Sequence, residues 1–236
     1  MVEPTLYINE FGLDELKAMW DERFGREVYE VFSSFVSIEY EDFLEFMTSL
    51  LPGLAEEFMI DHIRALSRQG SYDTIVWDTA PLGQTLALLE TPALLAEHLR
   101  LAPRVYSRLK RGGERRESVL EIVRRWRELS EESVDFLRSE VEFTIVTIPE
   151  ALAVQQLEGV FAELERFGFR VARLVVNNVV RSPDSDFLAS KAREQADHLG
   201  FIHDRFSNLE VVEVPLFPHE IRGVERIREV ERVLFA

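Results

Sequence analysis

The stretch Tyr72-Asp73-Thr74-Ile75-Val76-Trp77-Asp78-Thr79-Ala80-Pro81-Leu82-Gly83-Gln84-Thr85-Leu86 decides the fold class. Ile75-Val76-Trp77 is a short apolar run ending on Asp78, the pattern of a buried parallel strand that carries a carboxylate to the C-terminal edge of a sheet. Ala80, Pro81 and Gly83 then make a loop that can lie close to a ligand. An acidic strand end followed by such a loop points to a nucleotide-hydrolysing α/β protein. A phosphate-cradling G-x-x-x-x-G-K-[ST] loop would complete that chemistry. None of the 236 residues forms one.

Working outward, strands and helices alternate. Thr5–Asn9 reads as a short strand, and a helical pattern opens at Gly12 with Leu13, Leu16, Met19 and Trp20 on one side. Residues 28 to 46 read as one helix, Pro52-Gly53 as a turn, 56 to 68 as an amphipathic helix, and 82 to 101 again as helical. Residues 93 to 138 read as a charged helical insertion, broken at Gly112-Gly113 in the manner of a hairpin tip. Beyond it, Phe143–Ile148, Val171–Val176 and Val211–Pro215 read as strands. Helices are expected over 152–167 (ended by Gly168), 187–199 (capped by Gly200) and 220–234. This alternation predicts an α/β fold with a mostly parallel sheet, in a single domain 1–236 carrying the insertion 93–138.

Composition narrows the function. The formal net charge is -16, which argues against a nucleic acid partner. Cysteine is absent, which excludes disulfides and thiolate metal sites and suits the cytoplasm. The N-terminus has no basic-then-apolar leader pattern, and no apolar run approaches the roughly 18 residues that span a bilayer. Abundant Glu and Arg with little Asn or Gln hint at a thermophilic source.

Residues 78–86 also resemble a known family. Asp78-Thr79-Ala80-Pro81-Leu82-Gly83-Gln84-Thr85-Leu86 is similar to the D-T-A-P-T-G-H-T-L switch II motif of the ArsA/GET ATPases, which comprise the arsenical-pump ATPase and a relative that guides tail-anchored membrane proteins. Val146-Thr147-Ile148-Pro149-Glu150 is similar to the family's segment after the helical insertion. Leu174–Asn178 resembles its I-V-N-Q strand end, and Pro215–Gly223 its P-L-x-x-x-E-I-R-G loop. Leu6-Tyr7 and Pro52-Gly53 also fall in the family's order. The resemblance spans nearly the whole chain.

It implies a deviant P-loop fold using ATP and Mg²⁺ and working as a nucleotide-sandwiched dimer. Asp78 would hold the Mg²⁺ water shell, and Thr79, Gly83 and Gln84 would belong to the loop that senses the γ-phosphate. Asn177 would hydrogen-bond the adenine, and Pro215, Phe217, Glu220 and Arg222 would border the base. The family's G-K-G-G-V-G-K-T-T loop and D-P-A-H switch I precede its L-Y segment and have no counterpart here. The expectation is therefore an ATPase polypeptide that does not hydrolyse ATP alone and oligomerises, or takes a partner chain bearing the P-loop. Ser182-Pro183-Asp184-Ser185 stands where the family has its C-P-x-C clasp, so no zinc is expected.

Simpler readings stand beside these. Asp78 alone would pass for a helix cap or loop carboxylate, and Asn177 for a residue satisfying strand-end backbone groups. The arginines of the insertion, including Arg108, Lys110, Arg111, Arg115 and Arg116, read first as a solvated helical face. The sharper alternative is a docking surface for an acidic partner or anionic lipid, as in a non-catalytic interaction protein, and the partner expected for the chain as a whole includes a membrane-protein or acidic protein client.

Overall fold

A computed structural model describes residues 6–33, 36–44, 54–79 and 113–236. The chain divides into two units, Met1–Phe136 and Leu137–Ala236.

The regular elements described in the first unit are helices. Helix α1, Leu13–Trp20, opens where the Gly12 amide donates to Glu15 Oε2 at 2.7 Å, half of a capping box. It continues through one π-helical turn, Asp21–Gly25, into α2, Arg26–Ser33. Residues 28–46 therefore do not form the single helix expected. The chain bends near Val36 and resumes as a short helical segment at 40–44. Aromatic packing explains the break. Tyr29, Phe32, Tyr40 and Phe43 gather round Trp20, and the Tyr29 hydroxyl donates to the Ile38 carbonyl at 2.8 Å, which folds the second segment back. Helix α3, Leu54–Gln69, and α4, Gly113–Ser139, meet through a charged knot. Buried Arg64 bonds Asp61 Oδ1 at 2.9 Å and pairs with Glu132 at 3.0 Å, while Arg23 reaches Asp61 at 3.1 Å. Each buried charge thus has an opposite partner, as burial requires.

Neither of the two N-terminal strands expected from sequence is formed among the described residues. Leu6 makes an isolated bridge and residues 7–10 are irregular. Tyr72–Asp78 is irregular as well, and Val76, expected inside, is 85% exposed. A strand exists only through a neighbour's backbone groups, and no described residue pairs with this one. Pro52-Gly53 and the 82–101 helix lie outside the described residues.

The second unit holds the sheet. Strands β1 (Glu142–Thr147), β2 (Arg170–Val179) and β3 (Glu210–Pro215) are parallel in the order β1-β2-β3. Helix α5 (Ala151–Phe167) joins the first pair and α6 (Asp186–Arg205) the second. Right-handed crossovers in a monotonic order put both helices on one face. The core agrees: Val154 and Leu157 of α5 and Ile202 of α6 pack on Leu174, Val176 and Val179 of β2. Gly168 (φ 73°) ends α5, its amide and that of Phe169 returning to Glu165 and Leu164 at 2.9 Å. Gly200 does not cap α6. The helix runs on to Arg205 because Ile202, fully buried, and Phe206 just beyond the helix anchor its last turn in the core, which outweighs the roughly 1 kcal/mol helix penalty of glycine. The last helix, α7 (Val224–Leu234), starts four residues later than expected and leaves 216–223 as a loop.

Candidate functional site

The C-terminal ends of parallel strands are where α/β proteins bind ligands. Here β2 ends in an irregularity. Val176 pairs with Glu213 and Val179 with Pro215, so β2 advances three residues where β3 advances two. The extra residue is accommodated at Asn178, whose φ of 62° is the left-handed region that asparagine tolerates better than most side chains. Asn178 N–H donates to Asn177 Oδ1 at 2.9 Å. That bond orients the Asn177 amide, half-buried, with its Nδ2 hydrogens left to donate to a ligand acceptor.

Gln195 on α6 locks this strand end, and sequence reading passed it over. Its Oε1 accepts from Val180 N–H at 2.8 Å, and its Nε2 donates to the Asn178 carbonyl at 3.1 Å. At 2% exposure it is the most buried polar side chain described in this unit. The available signal was a lone glutamine among the core positions of a polar helix, too weak to single out without the fold. Gln195 also floors a cleft of about 390 Å³ lined by Pro149, Glu150, Phe187, Lys191 and His198, where Lys191 pairs with Glu150 at 2.8 Å.

The loop after β3 starts beside Val179, two residues past Asn177. Leu216 N–H donates to Val179 O at 2.8 Å, tying Pro215-Leu216 to the β2 end. Phe217 and His219 lie ring to ring, 5.8 Å between centroids. His219 Nε2 meets Glu229 Oε2 of α7 at 3.1 Å, and Arg226 meets Glu229 Oε1 at 2.6 Å. The Arg226 hydrogen bond holds the Glu229 carboxyl below its ordinary value against a smaller opposing effect of burial. Glu220 and Arg222 are exposed in this loop, with no partner among the described residues. Below, Glu213 of β3 is gripped by His203 Nε2 of α6 at 2.6 Å and by Arg181 at 2.6 Å, the latter an ion pair without hydrogen-bond alignment.

The structure thus brings Asn177, Pro215 and Phe217 to adjoining strand ends, with Glu220 and Arg222 on the same loop. The proposed switch residues belong to the other unit. Asp78 and Thr79 are exposed on the irregular segment, and Asp78 engages no described residue. Gly83 and Gln84 lie outside the described residues, as do Arg108, Lys110 and Arg111. Arg115 and Arg116 fall in the first turn of α4. Further along α4, Arg125 pairs with Glu27 of α2 at 3.0 Å and Arg127 with Glu131 one turn on at 3.5 Å. Among the described residues no acidic or histidine cluster could hold a metal ion, and no helix is long and apolar enough to cross a membrane. Ser185, the last residue of the S-P-D-S turn, caps α6 by accepting from Leu188 N–H at 3.3 Å.

With this geometry in view, the match to known proteins is direct. The anion-transporting ATPase family matches residues 1–236. The chain belongs to that family. Its α/β architecture is accordingly of the P-loop nucleotide hydrolase type. A protein of Aquifex aeolicus named as an arsenical pump-driving ATPase is 28% identical over 78% of this chain and 64% of its own length. The ATPase GET3 of Komagataella phaffii is 28% identical over 80% of this chain and 60% of its own. The ATPase ASNA1 homolog of Trypanosoma cruzi is 30% identical over 78% of this chain and 56% of its own. The chain thus spans about 56% to 64% of the length of the curated relatives it matches.

Proposed function

We propose that this chain supplies the base-recognising part and the switch loop of an ATP-hydrolysing machine for targeting or anion transport in the cytoplasm. One observation carries the reading. Asn177, oriented by its own strand end, lies two residues before Val179, to which the first amide of the Pro215–Arg222 loop is tied. An amide donor next to an apolar loop suits the acceptor nitrogens and flat face of a purine. Names among the relatives, an arsenical pump-driving ATPase and the ATPase GET3, support nucleotide hydrolysis as the purpose of that site. When bound, ATP with Mg²⁺ would supply the phosphoryl group whose transfer drives the machine. Asn177 would orient the base and the 215–222 loop would exclude water from one side of it. Asp78, exposed and unengaged, is free to accept from a magnesium-bound water.

The 236 residues hold no phosphate-cradling loop, so hydrolysis is proposed to need residues from outside them, from more of the same polypeptide or from a partner chain. Calorimetric titration of the chain with MgATP tests the base site. Saturable heat whose affinity Asn177→Ala weakens is the expected result, and no heat up to millimolar MgATP would overturn it. Phosphate release tests the second part. It should be absent for the 236 residues alone and appear when a P-loop-bearing segment is supplied. Release by the chain alone would refute the dependence.

A further inference from the structure

We propose that Gln195 is the positioning residue that sets nucleobase discrimination at this site, through the bulged end of β2. The inference rests on the base-site reading of Asn177 given above.

Gln195 bonds two backbone groups, Asn178 C=O and Val180 N–H, that flank Val179. A residue of a neighbouring parallel strand would take the same two places. Strand β1 cannot do so, because its pairing with β2 ends at Thr147 opposite Val176 and Pro149 follows. The side-chain amide thus replaces the missing strand residue and holds the chain through the left-handed turn at Asn178. The consequence reaches Asn177. The peptide unit that enters this turn carries the Asn178 N–H bonded to Asn177 Oδ1, and that bond decides which end of the Asn177 amide a base meets. With Oδ1 engaged, Asn177 presents a donor, which suits N1 of adenine, an acceptor, and not N1 of guanine, which carries a hydrogen. Freed, the amide could turn either end outward and its selectivity would fall. Gln195 itself is buried and lies one residue removed from the ligand-facing group, so it acts through Asn177.

A purely structural glutamine would lower stability and leave discrimination intact, which separates the two roles. The probes are ATP and GTP carrying a fluorescent ribose label, titrated against the full chain with Mg²⁺. Gln195→Leu is expected to erode the preference between the two nucleotides about tenfold, on the order of 1.4 kcal/mol. In a double-mutant cycle, Asn177→Ala with Gln195→Leu should lose no more than Asn177→Ala alone. Gln195→Glu keeps the size and the acceptor but not the donor, and should act in the same direction if Gln195→Leu fails to fold. Unchanged preference with lowered melting temperature, or additive losses in the cycle, would overturn the proposal. Hydrogen exchange of the Asn178 amide gives a readout independent of nucleotide. Protection should drop in the Gln195 variants, and retained protection would refute the positioning role. If the parent chain binds neither nucleotide while Asn178 protection still drops, the base-site reading has failed, and the selectivity role falls with it although the bulge lock stands.

Discussion

Tyr40 and Glu229 carry the two titrations with the clearest physical cause. Burial, followed by its hydrogen bond to Asp21, pushes the Tyr40 phenol up from 10 to about 12. The neutral phenol is thus favoured in the folded chain, and its contribution is complete below pH 10 and lost as pH rises through about 12. The melting temperature should fall over that window, and Tyr40→Phe should flatten that part of the profile in a thermal scan. Glu229 runs the other way. Held below 4.5 by Arg226, it stabilises above pH 4.5 and ceases to do so as pH drops below it. Glu229→Gln should melt lower than the parent at pH 7 and converge with it as pH falls below 4.5, read by circular dichroism. Gly25 belongs to the same setting as Tyr40. A Cβ there would lie 2.7 Å from the Tyr40 hydroxyl and closer still to Asp21, so Gly25→Ala should break that pair and cost about 1–3 kcal/mol in denaturant unfolding.

Among the elements, α6 separates local preference from tertiary demand. Its glycine at 200 looked like a stop, yet the helix passes through it to bury Ile202 and seat Phe206 in the core. Nothing lies within 4 Å of a Cβ built at Gly200, so Gly200→Ala should stabilise the chain by up to about 1 kcal/mol. A lower unfolding midpoint for that variant would show that the helix needs glycine there for another reason. Strand β2 gives the complementary case. Its apolar run was legible, but the bulge at Asn178 was not, because a bulge is a mismatch between two strands and neither strand's own pattern contains it. For the same reason Asn177 could be nominated by the resemblance of Leu174–Asn178 to a family motif, whereas Gln195, reaching that strand end from α6, could not.

For the whole molecule, charge sets the expectation. A net charge of -16 repels polyanions at long range. Duplex DNA at physiological salt should bind no tighter than about 10⁻⁴ M, the weak end of non-specific association. Fluorescence anisotropy showing tighter binding would mean that a local basic surface dominates the net charge. The charge is also organised within the fold. Arginines meet Glu and Asp across α2, α3 and α4 in the first unit, and between β2 and β3 in the second. Isolated exposed pairs of this kind contribute little each, whereas removing buried Arg64 would leave buried Asp61 with only the exposed Arg23 as its partner.

The sequence by itself determined the α/β class, the three strands β1 to β3 to within a few residues, and the family, because apolar periodicity and ordered short motifs are local properties of the chain. It also nominated Asn177 and the Pro215–Arg222 loop. Only the tertiary structure decided that Tyr72–Asp78 forms no strand among the described residues, that α6 overrides Gly200, and that Gln195 closes the β2 bulge. Each of these depends on a partner distant in sequence: a neighbouring strand to pair with, a core to bury into, or two backbone groups to satisfy.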